Sequence, residues 1–306
     1  MNRIIRALLV ILAIQCFITA VVYWPEHGVT AEVSGNQLMS LPAETITGIR
    51  IMDPQGNEAV IARSDNGWRI PALGGGLPAN TEQVKHLLKT LGQAREGQAV
   101  ASSIAARQRF EVASYSYRRR LTLMTGTGQQ EIIYLGTAPT FRRVHARNAT
   151  ADPVYSIRFN SFDSPAQDAA WLDPWLLQIP EPRGIRGPGF TLHRTRAGSW
   201  EAPSGAQPEP RELEALLVSL ANLQLTGIAN AAQQLRLSAL EPSLMLQVDL
   251  ADDSTQRLDF FALEDDHFIR DSRYDLFFAI SAYDFDRLNS LDSASLNGEP
   301  PVPQQQ

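Results

Sequence analysis

Cysteine is nearly absent from this chain of 306 residues: Cys16 is the only one. No internal disulfide can form, so folding rests on packed cores. Cys16 also lies inside an apolar N-terminal run, which excludes a cysteine nucleophile elsewhere. The five histidines, His27, His86, His145, His193 and His267, show no His-x-x-x-His spacing with a third ligand, so there is no zinc motif. Gly-x-Ser-x-Gly is missing, and serine hydrolase chemistry has no anchor. The Gly74-Gly75-Gly76 run leads into Leu77-Pro78, where a phosphate cradle needs Gly-Lys-Ser/Thr entering a helix. The acidic turns Asp252-Asp253 and Glu264-Asp265-Asp266 lack the ligand spacing of a calcium loop. With 33 acidic residues, accidental carboxylate pairs are guaranteed, so pairing alone is no mark of a glycosidase. No catalytic set, metal or cofactor is therefore expected. A positive excess is missing too: 27 basic residues against 33 acidic ones give −6, unlike a nucleic-acid binder.

What is present is a folded composition, 44% hydrophobic and 20% charged, enough for one large or two ordinary domains. Arg3 and Arg6 precede an apolar run from Ala7 to Trp24. Those 18 residues reach about 27 Å as a helix, close to a hydrocarbon core of about 30 Å. Tyr23 and Trp24 fall where an aromatic belt lies, and Pro25 ends the helix. The run predicts a transmembrane anchor; the rival is a cleavable signal peptide ending at Val29-Thr30-Ala31. Gln15 before Cys16 argues against a lipoprotein. The preceding arginines place the N-terminus in the cytoplasm and the remainder outside, at a bacterial inner membrane with the main domain periplasmic.

The chain then states one pattern twice. Trp68-Arg69-Ile70-Pro71 leads to a helix carrying Val84, Leu87, Leu88 and Leu91. Trp200-Glu201-Ala202-Pro203 leads to one carrying Leu213, Leu216, Leu217 and Leu220, each 129 residues further on. Alternating stretches predict a meander over 46–70, hairpins over 120–135 and 144–157, and hairpins over 244–263 and 267–280. Trp171, Leu172, Trp175 and Leu176 predict a helix over 169–177, which Asp173-Pro174 threatens to break. The expected fold is α+β: after the anchor (1–24) and a linker (25–43), two tandem similar units (44–180 and 181–292), each a mostly antiparallel sheet with helices on one face. Residues 293–306, rich in proline and glutamine, are expected to be disordered.

The strand, the Trp-x-x-Pro, the leucine-striped helix, the paired hairpins and the second helix resemble the bacterial family called domain of unknown function 4340. Trp68 to Pro71, Val84 to Leu91, Val154 to Ile157 and Trp171 to Leu177 carry the resemblance, over about 44–292. That family is often encoded beside ABC transporters of the gliding-motility type. The resemblance implies an accessory extracytoplasmic subunit and brings no catalytic residues.

Candidate surfaces follow from charge and aromatics. Residues 44–180 hold 15 basic and 12 acidic residues, a net of +3, whereas 181–306 hold 10 and 19, a net of −9. Arg118-Arg119-Arg120 and Arg142-Arg143 read as a charged sheet edge, or as a contact for anionic headgroups or an acidic partner. Trp171 and Trp175, four apart, read as core or as an interface pair. His145 with Arg147, and His267 with Arg270, read as solvent-facing strand ends or as a repeated polar site. Asp163 and Asp284 read as helix-cap residues. The leading expectation is a membrane-anchored extracytoplasmic interaction protein with a membrane-protein partner. The alternatives are a binder of glycan, lipid or peptide in an inter-repeat groove and, third, an envelope hydrolase.

Overall fold

The structure is a computed structural model that describes residues 38–94 and 99–298, with Leu12 and Gln15 as isolated positions. Apart from those two positions, the predicted anchor, the signal-peptide alternative and Cys16 lie outside the described residues. Among the described residues no helix is long and apolar enough to cross a membrane.

The first sheet is built from β1 (Ile46–Met52), β2 (Glu58–Ser64), β3 (Gly67–Ile70) and β4 (Leu77–Pro78), then β7 (Arg119–Thr125), β8 (Gln130–Leu135), β9 (Arg143–Asn148) and β10 (Tyr155–Arg158). Between them come α1 (Thr81–Gly92), α2 (Ile104–Arg109) and the small hairpin β5 (Val112–Ala113) and β6 (Ser116–Tyr117). The second sheet has β11 (Gly184–Gly187), β12 (Phe190–Arg194) and β13 (Trp200–Glu201), then β14 (Leu225–Ile228), β15 (Leu244–Asp249), β16 (Thr255–Leu263), β17 (Asp266–Asp271) and β18 (Phe277–Ile280). Its helices are α3 (Pro210–Ala221), α4 (Ala231–Ser238), α5 (Ala282–Asn289) and α6 (Ser293–Leu296). The fold is α+β with two large, wholly antiparallel sheets.

Local chemistry explains the elements. Ile49 and Ile51 alternate with exposed or half-exposed residues along β1. Asn80 starts α1 by accepting the Gln83 amide at 3.1 Å, and Val84, Leu87, Leu88 and Leu91 bury one stripe. Glu209 caps α3 in the same way through the Glu212 amide, with Pro210 at the first position.

The two sheets share a strand order, β10-β9-β8-β7-β1-β2-β3 and β18-β17-β16-β15-β11-β12-β13, with β4 and β14 as the extras. Ladder register aligns the repeats residue by residue. Ile49 opposes Ile61 and Leu123; Ile185 opposes Leu192 and Val248. Leu121 opposes Ile133, and Leu246 opposes Leu258. Trp68 opposes Arg63, and Trp200 opposes Arg194. The Trp-x-x-Pro repeat is thus the same place in two sheets.

One buried cluster contains the inner faces of both sheets together with α1 and α3. The seam between repeats is closed by backbone bonds (Leu225 N–H to Pro174 O, 2.8 Å; Ile179 N–H to Leu220 O, 2.9 Å). A Cβ on Gly74 would lie 2.8 Å from Leu276 Cδ1, so the repeats also touch closely there.

Several expectations need correction. The helices do not keep to one face: Leu237 of α4 joins Phe261, Leu263, Phe268 and Phe277 in a second cluster. By strand alternation that cluster lies on the opposite face of β16 from Leu258 and Phe260. Val112, Tyr134 and Val154, with Phe110, form its counterpart on the first sheet. Residues 169–177 form no α-helix. A 3-10 turn over Asp168–Trp171 gives way to extended Leu172, which bridges Ala79, and the next residue, Asp173, is biased away from helical geometry by Pro174. The linker ends sooner than its composition suggested, since Leu38 and Met39 are core residues. The expected tail begins with structure: Leu296 of α6 is fully buried, and the Glu209 amide donates to Ser295 O at 2.9 Å. Residues 299–306 lie outside the described residues.

Candidate functional site

The equal lengths of β9 and β17 match Arg143–Asn148 to Asp266–Asp271 end to end, in agreement with the ladder. Arg147 and Arg270 are therefore equivalent, but the histidines are not. His145 matches Phe268, and His267 matches Val144, one residue off and hence on the opposite face. His145 is buried, stacked 4.1 Å from Phe110, with Nδ1 3.0 Å from Thr137 O. Burial is the largest influence on it and holds its pKa below the usual imidazole value. His267 packs against Phe285 with ring centres 4.4 Å apart and the planes tilted by 45°.

The equivalent arginines have different company. Arg147 is buried and donates to the carbonyls of Val112, Asn148, Ala149 and Ala151, with its guanidinium 5.1 Å from the Tyr134 ring centre. Burial, then the nearby Arg107, lowers its pKa. Arg270 instead pairs with Asp259 at 3.3 Å, and Asp259 occupies the Tyr134 position. The predicted repeated polar site is thus a repeated arginine in two structural settings.

A buried polar pair escaped sequence reading. Glu131 matches Gln256, and Asn148 matches Asp271. In the first repeat the Asn148 amide donates to Glu131 at 2.6 Å; in the second the Gln256 amide donates to Asp271. Acid and amide have exchanged strands. Glu131 also accepts from the Ser40 amide (2.8 Å), the Ser40 hydroxyl (2.9 Å) and the Leu41 amide (3.0 Å). Asp271 accepts from Arg273 at 2.7 Å. Partners 91 residues apart leave no local signal in a sequence.

The arginine triplet is split by strand alternation. Arg118 pairs with Glu111, and Arg119 donates to Ser164 O at 2.9 Å. Arg120 points to the outer face, lining a cavity of about 230 Å³ with Arg50, Met52, Thr122, Met124 and Gln130. Trp171 and Trp175 do not form a pair. Trp171 is fully buried and donates to Pro165 O at 3.0 Å, whereas Trp175 is half exposed.

Arg142 and Arg143 do belong to a larger feature. With Arg158, His86, Phe141 and Asp163 they line an open cleft of about 800 Å³ at one corner of the first sheet. Arg143 donates to Ser156, and His86 Nε2 lies 3.5 Å from Asp163 Oδ2. Arg142, with φ +55°, lies over the Phe141 ring at 5.1 Å. Among the described residues the Arg158 side chain has no ion pair or hydrogen bond. Phe141 is 86% exposed, and Phe162 on the adjoining turn is 85% exposed. Asn160 caps that turn, and Ser281 caps α5, so Asp163 and Asp284 are first-turn residues and not the caps themselves. The second repeat places Glu264-Asp265-Asp266 where the first has Phe141-Arg142-Arg143. Among the described residues no three His, Cys, Asp or Glu side chains converge as a metal site would need.

No curated protein and no solved structure matches this chain. A family model described as "Domain of unknown function (DUF4340)" matches residues 68–242. The match opens on Trp68 and spans Trp200 and α3, so it includes both copies of the repeated motif while covering less than the 44–292 of the resemblance. By that match the chain belongs to the DUF4340 family.

Proposed function

We propose that the protein is a single-pass, membrane-anchored extracytoplasmic interaction protein. It serves as an accessory subunit of a membrane complex of the ABC-transporter or envelope-assembly kind. The Phe141–Arg143 corner is its docking surface for an acidic partner protein. The observation that carries this reading is the corner itself: three arginines and two exposed phenylalanines, where the equivalent corner is acidic. Arginine beside solvent-exposed aromatics is the composition of binding hot spots. The Ala7–Trp24 run supports the anchor. The closed inter-repeat seam gives no support to binding there.

A photoreactive residue at position 141, irradiated in native membranes, tests the corner. One membrane-protein adduct, lost on R142E/R143E/R158E reversal, is expected; only lipid adducts, or none, refute the reading. Alkaline extraction tests the anchor, and release of the chain into the supernatant refutes it.

A further inference from the structure

We propose that the cavity of about 230 Å³ on the outer face of the first sheet binds a small aliphatic carboxylate. The argument is an internal comparison, independent of the corner. By register, Gly48 matches Gly184, Arg50 matches Arg186, Met124 matches Asp249 and Gln130 matches Thr255. In the second repeat the place is closed by a carboxylate of the chain itself. Asp249 Oδ1 lies 2.8 Å from Arg186 Nη2 and accepts from the Thr255 hydroxyl at 2.8 Å. A glycine beneath makes room in both copies: a Cβ on Gly184 would meet Asp249 Oδ2 at 2.8 Å, and one on Gly48 would meet Met124 Cε at 3.0 Å.

The first repeat keeps the donors and loses the acid. Met124 stands where Asp249 would, and Arg120 is added where the second repeat has Met245. Arg50 is answered by Glu58, 3.1 Å away. Arg120 is not answered: its Nε is buried without a hydrogen-bond partner, and among the described residues no carboxylate pairs with it. Half-buried and without an ion pair among the described residues, the Arg120 guanidinium lines the cavity and offers its terminal N–H donors to an incoming oxyanion. Thr122 and Gln130 supply further polar atoms on the wall, while Met52 and Met124 offer thioether surface to a short apolar chain. The cavity has room for about seven waters at about 30 Å³ each, so the ligand is small.

The full chain, labelled at its methionine methyl groups, is titrated with butyrate at low salt, with phosphate as the comparison. We expect saturable shifts of the Met52 and Met124 methyl signals. Two substitutions carry the second repeat's solution into the first: Met124→Asp supplies the missing acid, and Arg120→Met removes the cation. Each should weaken butyrate binding at least tenfold, with the Met52 signal as the reporter. Circular dichroism identifies any variant that does not fold, and either variant alone then decides the matter. Absence of saturable shifts, or unchanged binding in a folded variant, overturns the proposal. Phosphate binding as tight as butyrate overturns the carboxylate assignment.

Discussion

Glu131→Gln tests the exchanged acid–amide pair most sharply, because it puts the second repeat's residue into the first. Glu131 is 7% exposed and accepts from two backbone amides, a hydroxyl and the Asn148 amide. An amide keeps one acceptor oxygen and turns a donor toward groups that are themselves donors. Hydrogen bonds to a charged acceptor are worth about 1.5–3 kcal/mol each, and a stranded buried donor costs about 1–3 kcal/mol. Ser40 is exposed, so water repairs part of the loss there. The expected net cost is about 2–4 kcal/mol, a large share of a typical stability of about 5–15 kcal/mol. Urea unfolding measures it. Adding Asn148→Asp reproduces the Gln256–Asp271 arrangement and should recover about 1 kcal/mol, since it restores the cross-strand bond but not the hold on Ser40 and Leu41. The reasoning fails if Glu131→Gln lies within about 0.5 kcal/mol of the parent, or if the double variant is no better than the single one.

Burial keeps His145 below the ordinary imidazole pKa, so the unfolded chain binds more protons there than the native one. Its contribution is complete above the unfolded value of about 6.5 and falls as pH drops below it. His145→Phe, the residue of the equivalent position, should flatten the decline of the urea midpoint from about pH 7 to about pH 5; an unchanged slope counts against the assignment. Trp171→Ala should cost about 3–5 kcal/mol, and Trp175→Ala under about 1 kcal/mol, in the same assay; equal costs contradict the separation of the two side chains. Truncation after Asp292 removes Leu296 from the core and should cost about 2–4 kcal/mol, whereas truncation after Gly298 should cost almost nothing; thermal melts of both decide.

Legibility in the sequence followed the range of the interactions. β1, α1 and the hairpins of both repeats were readable because period and caps are local: Ile49 and Ile51 alternate, and Asn80 lies three residues before Gln83. The short elements α2, β14 and α4 went unread, having little periodic signal of their own: Leu225 of β14 is held by the shared core and Leu237 of α4 by an outer cluster. The histidine pairing failed by a one-residue slip, the smallest error that moves a side chain to the other face. The predicted tryptophan pair followed helical spacing into a segment where Pro174 forbids the helix. The basic corner was half legible. Arg142 and Arg143 are adjacent in sequence, but Arg158 and His86 reach the cleft only through the fold.

The disagreements between the repeats have a physical order. Inner-face positions match in kind, Ile49 with Ile185, Leu121 with Leu246, Ile133 with Leu258, because all of them pack into one shared core. Polar positions in and beside the sheets persist but exchange partners: on the inner face Glu131 and Asn148 against Gln256 and Asp271, and on the outer face Tyr134 against Asp259 beside the retained arginine. At the surface the sign of the charge itself reverses, from Phe141-Arg142-Arg143 to Glu264-Asp265-Asp266. Packing tolerates few changes, a buried polar pair tolerates those that keep a donor facing an acceptor, and a solvated corner tolerates nearly any. Stability therefore explains the first two groups and leaves the third unconstrained. At the corner of the first repeat, three guanidiniums share a cleft with a phenylalanine left 86% exposed. Folding does not require that arrangement, which is the physical ground for proposing a docking surface there.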